Sequence, residues 1–188
     1  MDVIAGRAAD LKPVVLLTGL QGTGKTTTCG RLAVRARELG LVPAGIICPA
    51  RVVSGAKVGI DVADVRTGER RRLAEMDGLP ARLRVGPYRF DDSALAWGIE
   101  RLESACPCDL LIVDEIGPLE MTRGEGWANA IKVLRLGRYR LAVVVVRPAL
   151  VNAVRDALEA LPTAVTVLKV VEPDRDVVWG LLAPILAG

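Results

Sequence analysis

The sequence predicts an α/β domain with a mostly parallel sheet flanked by helices and an antiparallel meander that extends one side of the sheet. Apolar strand-like runs alternate with helical patterns over most of the chain, and this alternation requires parallel strands joined by right-handed crossovers. Residues 51–73 interrupt the alternation, because only turns separate their extended segments. A glycine-rich loop joins the first strand to the first helix, as a phosphate-binding loop requires.

The first strand and the first helix enclose that loop. Residues 14–18 form a β-branched and leucine-rich run that is typical of a buried parallel strand. Residues 26–39 have a helical pattern, and Gly40 is the expected C-terminal cap. Between them, residues 19–26 fit the pattern G-x-x-x-x-G-K-[ST] at every fixed position. The flanking elements disfavour the alternative, a glycine turn followed by a chance lysine.

We expect residues 19–26 to cradle the phosphates of a nucleotide. Gly22 and Gly24 permit a tight turn that aims backbone N–H groups at phosphate oxygens, at the positive end of the following helix. Lys25 is then expected to reach the β- and γ-phosphates, and the Thr26 hydroxyl to hold Mg²⁺. The predicted nucleotide-binding residues are Gly19, Leu20, Gln21, Gly22, Thr23, Gly24, Lys25, Thr26, Thr27 and, from the segment before the last helix, Arg175.

The middle of the chain predicts strands without intervening helices. A second extended segment covers residues 44–48. The meander then comprises residues 51–53, 58–62 and 69–73, separated by the turn signals Ser54-Gly55 and Thr67-Gly68. A short strand over residues 82–85 is expected to follow a turn at Asp77-Gly78. Antiparallel strands of this kind can extend a parallel sheet.

Helices and strands alternate again after residue 90. Asp91 caps a helix whose Leu95, Ile99 and Leu102 are spaced i, i+4 and i+7. The apolar run over residues 110–113 ends in Asp114-Glu115, which is the Walker B arrangement of a buried strand and a terminal carboxylate. A helix is predicted over residues 127–136, followed by a buried strand over residues 141–146 that Pro148 ends.

The C-terminal part predicts two more helices around one more strand. Leu150, Val154, Leu158 and Leu161 mark one helix face, residues 165–170 form the strand, and Asp174 caps the last helix. The apolar run over residues 177–187 is too short to span a membrane, so we expect a docked helix and no membrane association. No internal repeat or linker divides the chain, and residues 1–188 are predicted to form a single domain.

Charged side chains are expected to gather where the parallel strands end, because ligands of open α/β sheets bind beyond the carboxyl ends of the strands. Asp114 is the predicted Mg²⁺ partner, with Thr26. Glu115 is the candidate to orient or deprotonate an attacking water, because the chain has no histidine. The alternative for Glu115 is a structural ion pair. Arg147 could supply positive charge to the phosphoryl group or be a surface cap.

The composition sets bounds on the partners. A net charge of +3 and a pI near 8.8 are too weak a bias to demand a polyanionic partner beyond a nucleotide. The arginines of residues 66–89 could follow a nucleic-acid backbone, but few aromatic side chains accompany them, and a solvated face is favoured. We therefore predict a nucleoside triphosphate as ligand and no nucleic acid. A monomer is the simplest expectation.

The cysteines favour a reduced, cytoplasmic environment. The chain has four cysteines and no CxxC pair, and we expect no leader with a cleavage site before the first strand. Cys106-Pro107-Cys108 could form half of a metal or redox site. Without a second pair or a histidine, buried thiols are the favoured interpretation.

Beyond the phosphate loop, the sequence resembles the P-loop nucleoside-triphosphatase family that includes the cancer-related nucleoside-triphosphatase and its thermophile relatives. The resemblance rests on segments that occur in the same order over nearly the whole chain: residues 58–62 with 67–70, residues 85–88, residues 113–120 and residues 172–176. Departures occur at Leu20-Gln21, at residues 48–50 and at Pro173, and they bear on substrate preference more than on phosphate binding.

The resemblance implies a RecA-like P-loop domain that hydrolyses several nucleoside triphosphates with Mg²⁺, slowly and with little base selectivity. Lys25 and Thr26 match the family's phosphate-loop lysine and Mg²⁺ hydroxyl, and Asp114 and Glu115 match its Walker B pair. The predicted function is hydrolysis of the β–γ bond, with Lys25 and Glu115 as catalytic residues. A small-molecule or nucleotide kinase and a nucleotide-gated interaction module are the alternatives.

Overall fold

The strands of the chain form one mixed sheet. The computed structural model describes residues 11–76, 81–159, 163–170 and 177–187. The strands are β1 (Lys12–Thr18), β2 (Pro43–Ile47), β3 (Ala50–Val53), β4 (Ala56–Asp64), β5 (Arg70–Glu75), β6 (Arg84–Val85), β7 (Tyr88–Phe90), β8 (Leu110–Ile116), β9 (Leu141–Val146) and β10 (Thr163–Lys169). The helices are α1 (Lys25–Glu38), α2 (Asp92–Glu103), α3 (Pro118–Arg123), α4 (Ala130–Leu136), α5 (Val151–Glu159) and α6 (Val177–Ala187).

The sheet has a parallel half and an antiparallel half. The strand order is β10-β1-β9-β8-β2-β4-β5-β7-β6, and β3 pairs with β4 outside this path. All pairs from β10 to β2 are parallel, whereas β2 pairs antiparallel with β4 and the later pairs are also antiparallel. The predicted fold class is confirmed. β9 lies between β1, which leads into the phosphate loop, and β8, which carries Asp114.

Alternation along the buried strands divides the core into two layers. Val14 and Leu16 of β1 pack in one layer with α2, α4 and α5, whereas Val15 and Leu17 pack in the other with α1 and α6. This is the period of two expected of a strand that is covered on both faces. Val178, Leu182 and Leu186 place α6 against the second layer, as the docked-helix prediction requires. Within the described residues, no helix has the length and apolar character needed to cross a membrane.

Several predicted elements differ in their bounds. The strand at residues 82–85 is shorter than predicted, and it forms a hairpin with β7 through a turn at Gly86, whose φ is 58°. β8 continues through Asp114 and Glu115 to Ile116. The short helix α3 is an addition, and α4 begins three residues after Trp127, so Trp127 lies in the turn before that helix. Elements as short as a two-residue strand or a six-residue helix do not show a hydrophobic period in the sequence, so their bounds could not be predicted from it.

The caps follow the predicted chemistry where they are described. The Asp91 carboxylate accepts a hydrogen bond from the Ala94 N–H at 2.7 Å and caps α2. Gly40 follows α1 with φ 74° and donates its N–H to the Arg37 carbonyl at 2.9 Å. The predicted turn at Asp77-Gly78, the helix residue Leu161 and the cap Asp174 lie outside the described residues.

Candidate phosphate-binding site

The phosphate loop leaves the N-terminus of α1 open. Gly24 is the N-cap of α1, with φ 86°, and it provides no side chain to hydrogen-bond the first N–H groups of the helix. The first turn also contains no acidic residue. The positive end of a 14-residue helix therefore faces the loop without an internal anion. An oxyanion such as phosphate can satisfy these donors.

Gly19 fixes the start of the loop against the neighbouring strand. Its φ is 153°, and a Cβ at this position would come within 2.4 Å of the Val170 carbonyl oxygen, just after β10. The Val170 N–H in turn donates to the Thr18 carbonyl at 2.7 Å. A glycine is required here because backbone occupies the space of a side chain. Thr23 closes the loop locally, since its hydroxyl donates to the Leu20 carbonyl at 2.9 Å.

Lys25 points back into the loop. Its ammonium nitrogen donates to the carbonyl oxygens of Gly19 at 2.9 Å and Leu20 at 2.7 Å. Leu20 is 74% exposed, and Gln21, Gly22 and Thr27 are also exposed. The ammonium thus lies among neutral backbone dipoles at an accessible rim. A point charge held in this way is suited to phosphate oxygens.

Asp114 is brought to the phosphate loop although β9 separates its strand from β1. The Cys48 N–H donates to Asp114 Oδ2 at 3.0 Å. The side chain is 2% exposed. Burial raises the pKa of Asp114 to about 6, against the lowering effect of the Cys48 N–H, the Thr26 hydroxyl and Lys25. A buried carboxylate thus lies beside the threonine hydroxyl and the lysine of the loop.

Glu115 lies at an irregularity in β8. Asp114 pairs with Val145 and Ile116 with Val146, so Glu115 is the extra residue of a bulge. Its carboxylate is ion-paired with the Arg147 guanidinium at the end of β9, and both side chains are about half exposed. Glu115 also raises the pKa of Asp114, although less than burial does. Asp114 and Glu115 are therefore adjacent in sequence but differ in their surroundings, because Asp114 is buried and Glu115 is about half exposed at the rim of the site.

Sequence reasoning missed Glu120 as a support of this region. Glu120 Oε2 accepts from the Gly117 N–H at 2.8 Å, and Oε1 accepts from the Trp127 N–H at 3.1 Å. Burial is the main cause that raises the pKa of Glu120. Trp127, 4% exposed, belongs to the core cluster against which Cys48 packs, beside Asp114. The available signal was the capping-box spacing from Gly117 to Glu120 with a proline at the first helical position.

Other residues singled out in the sequence have local partners. Arg66 donates to the Ala105 and Pro107 carbonyls, and the Arg71 guanidinium lies 4.6 Å from the Trp97 ring centroid. Arg72 pairs with Glu75 at 3.6 Å. These contacts tie the arginines to the protein itself. Arg175, the predicted nucleotide contact near the last helix, lies outside the described residues, as does the rest of residues 171–176.

The sequence and the fold are both similar to those of known proteins. A family model described as NTPase matches residues 14–182. Over 139 residues the chain is 30% identical to nucleoside-triphosphatase THEP1 of Caldivirga maquilingensis, covering 74% of this chain and 79% of the relative. Over 119 residues it is 34% identical to nucleoside-triphosphatase THEP1 of Methanopyrus kandleri, covering 63% of this chain and 64% of that relative, which is slightly less than two thirds of its length.

Two solved structures share the fold. The crystal structure of THEP1 from the hyperthermophile Aquifex aeolicus matches with a TM-score of 0.65 at 17% identity, over 93% of this chain and 99% of that one. The solution structure of a human cancer-related nucleoside triphosphatase matches with a TM-score of 0.64 at 24% identity, over 92% and 98%. At these identities the matches show that the architecture is shared.

Proposed function

The chain belongs to the NTPase family, whose model spans residues 14–182, and from this premise we propose that it hydrolyses the β–γ bond of nucleoside triphosphates with Mg²⁺ and water. The observation that carries the proposal is the position of Asp114 on β8, whose buried carboxylate lies close enough to Thr26 and Lys25 of the phosphate loop for both to lower its pKa. This proximity joins a phosphate cradle to a buried carboxylate across an intervening strand. Relatives named nucleoside-triphosphatase support the same activity.

The oxygen atoms of Thr26 and Asp114 fit Mg²⁺. Mg²⁺ prefers oxygen ligands and usually binds through one or two carboxylates together with substrate phosphates and waters. The residues that the structure describes contain no cluster of three or more His, Cys, Asp or Glu side chains able to hold a metal. Among these residues, Mg²⁺ would therefore also need ligands from the substrate phosphates and water. When bound, Mg²⁺ supplies charge neutralisation at the phosphate oxygens.

The loop and Lys25 would hold the β- and γ-phosphates during the reaction. The open N–H groups at the start of α1 donate to phosphate oxygens, and the Lys25 ammonium exchanges its loop carbonyls for phosphate oxygens of higher charge. Phosphoryl transfer requires mainly positioning and electrostatic stabilisation from the protein. The backbone dipoles and one point charge of this loop provide both.

Glu115 would orient the attacking water and accept its proton. It is half exposed at the rim beside Asp114, and the chain contains no histidine that could act in its place. Arg147 holds the Glu115 carboxylate at this position through the ion pair. We assign Arg147 the role of a positioning residue, because its contact in the structure is with Glu115.

The decisive experiment measures phosphate release from ATP, GTP, CTP and UTP, with and without candidate hydroxyl acceptors. Release of one phosphate per nucleoside diphosphate formed, with no phosphorylated acceptor detected by mass spectrometry, is the expected result. Formation of a phosphorylated acceptor in place of free phosphate would show a kinase. Nucleotide binding without turnover, combined with nucleotide-dependent capture of a partner, would instead show an interaction module.

A further inference from the structure

Cys106 and Cys108 lie at the sheet edge opposite the phosphate loop. They precede β8, which begins at Leu110 and carries Asp114 near its other end. The Cys108 N–H donates to the Arg138 carbonyl at 3.0 Å, which joins the segment to the chain before β9. We call the two side chains the amino-edge dithiol. The length of β8 separates this pair from the phosphate loop.

The two cysteines of the amino-edge dithiol are separated by one residue, Pro107. Each thiol affects the pKa of the other, and both residues are partly exposed. Gly137 creates the space for this arrangement, because a Cβ there would come within 2.6 Å of Cys106 Sγ. The remaining cysteines differ in their surroundings. Cys29 is completely buried, and Cys48 packs against the core cluster beside Trp127 and Asp114.

The charges around the pair distinguish one sulfur from the other. The neighbouring Cys108 thiol is the largest cause that lowers the pKa of Cys106, to about 7, and the Arg138 N–H, Lys12 and Arg66 act in the same direction against burial. The pKa of Cys108 is raised by the Cys106 thiol, by burial and by Asp109. The Tyr139 phenol donates to the Leu134 carbonyl at 2.7 Å, and its pKa is raised by burial and by the two sulfurs.

This asymmetry is the arrangement of an attacking thiol and a resolving thiol. Reactive cysteines are partly exposed in electropositive surroundings, and redox-sensitive ones commonly stand beside a second cysteine. Lys12 and Arg66 are held near the sulfurs by their own contacts. Lys12 donates to the carbonyls of Arg135 and Gly137, and Arg66 to those of Ala105 and Pro107. The positive charge therefore belongs to the fold of this edge.

We propose that Cys106 and Cys108 form a thiol–disulfide exchange site for anionic low-molecular-weight disulfides. The Cys106 thiolate attacks one sulfur of the small disulfide, forming a mixed disulfide and releasing the first small thiolate. The Cys108 sulfur, after losing its proton, attacks Cys106 Sγ, forms the Cys106–Cys108 bond and releases the second small thiolate. The protein is oxidised by two electrons, the small disulfide is reduced to two thiols, and the two protein protons pass to the two leaving thiolates.

Site-resolved mass spectrometry tests the proposal on the full chain. The wild-type protein is incubated at pH 7 with oxidised glutathione, remaining thiols are alkylated, and peptides are mapped. The expected product is the Cys106–Cys108 disulfide, with Cys29 and Cys48 still reduced. Cystamine, a cationic disulfide, is expected to react several-fold more slowly, because Lys12 and Arg66 repel it. Glutathionylation of Cys29 or Cys48 before the dithiol, or a faster reaction with cystamine, would overturn the proposal.

Two matched variants separate the roles of the sulfurs. Cys108→Ser is expected to stop at a stable mixed disulfide on Cys106. Cys106→Ser should react with oxidised glutathione at least about tenfold more slowly than the wild-type protein, because only the higher-pKa sulfur remains. The wild-type protein gives an independent check that needs no variant. Alkylation of Cys106 should have a pH midpoint near 7, and a midpoint near the ordinary thiol value of about 8.5 would contradict the assignment.

Discussion

Arg147 Nε donates a hydrogen bond to Glu115 Oε1, which links the residue after β9 to the bulge residue of β8. β8 and β9 are neighbours in the sheet, and β9 is also the neighbour of β1, which leads into the phosphate loop. The ion pair thus lies at the carboxyl edge of the parallel strands. It holds the proposed general base at the rim of the candidate site.

Glu115→Gln should separate nucleotide binding from hydrolysis. Glutamine has the same shape and can hydrogen-bond a water, but it cannot accept that water's proton. We expect kcat to fall by about 10²- to 10⁴-fold with little change in nucleotide affinity, both measured on one preparation. Glu159→Gln is the control, because Glu159 is also an exposed partner of an arginine, Arg155 at 3.6 Å. A variant within about threefold of the wild-type rate would make Glu115 structural.

Arg147→Ala should lower kcat through Glu115 with little effect on stability. Exposed ion pairs contribute about 0–1 kcal/mol, so the free energy of unfolding in urea should change by no more than that. We expect kcat to fall by about tenfold while the KM for nucleotide changes by less, because the base is left without its restraint. When Arg147→Ala is added to Glu115→Gln, it should cause no further fall in kcat. Independent, multiplicative losses would show that Arg147 acts on the nucleotide itself.

Lys25→Ala should abolish useful turnover, because it removes the only side-chain charge held inside the described phosphate loop. Nucleotide affinity, measured by equilibrium titration, should fall with it. Lys132→Ala removes an exposed lysine on α4 and serves as the matched control. Hydrolysis at the wild-type rate by Lys25→Ala would refute the assignment of residues 19–26 to phosphate binding.

Removal of divalent metal should stop hydrolysis, and added Mg²⁺ should restore it. The reason is that the Thr26 hydroxyl and the Asp114 carboxylate are hard oxygen ligands placed together beneath the loop. Thr26→Ser retains the hydroxyl and should require a similar Mg²⁺ concentration for half-maximal rate, whereas Thr26→Val should require far more. Full activity in excess chelator would rule out the metal.

Glu120→Ala should destabilise the segment that follows β8. The substitution leaves the N–H groups of Gly117 and Trp127 without their acceptor, at an expected cost of about 1–3 kcal/mol in the free energy of unfolding. Glu120→Gln retains one acceptor oxygen and should recover part of that loss. Glu103→Ala, an exposed position at the end of α2, is the control. Equal stability of Glu120→Ala and this control would show that the two hydrogen bonds contribute nothing.

The parts of the site that are local in sequence were predictable. The phosphate loop is a contiguous pattern whose conformation follows from glycine and from the start of a helix, so Gly24 and Lys25 are where the pattern indicates. Asp114 and Glu115 were predicted as site residues because an apolar run ends beside them, and their roles stay predictions. The bulge at Glu115 was not predicted, because a bulge depends on the register with β9, which no local pattern contains.

The sequence by itself determined the fold class, because hydrophobic period and glycine positions act over a few residues. It also predicted the phosphate loop, which is a contiguous pattern. Only the tertiary structure decided which side chains meet. It set β9 between β1 and β8, brought the Thr26 hydroxyl to Asp114, paired Glu115 with Arg147 and placed Cys106 against Gly137. These contacts join residues far apart in the chain, so their energies arise only when the sheet order closes the distances between them.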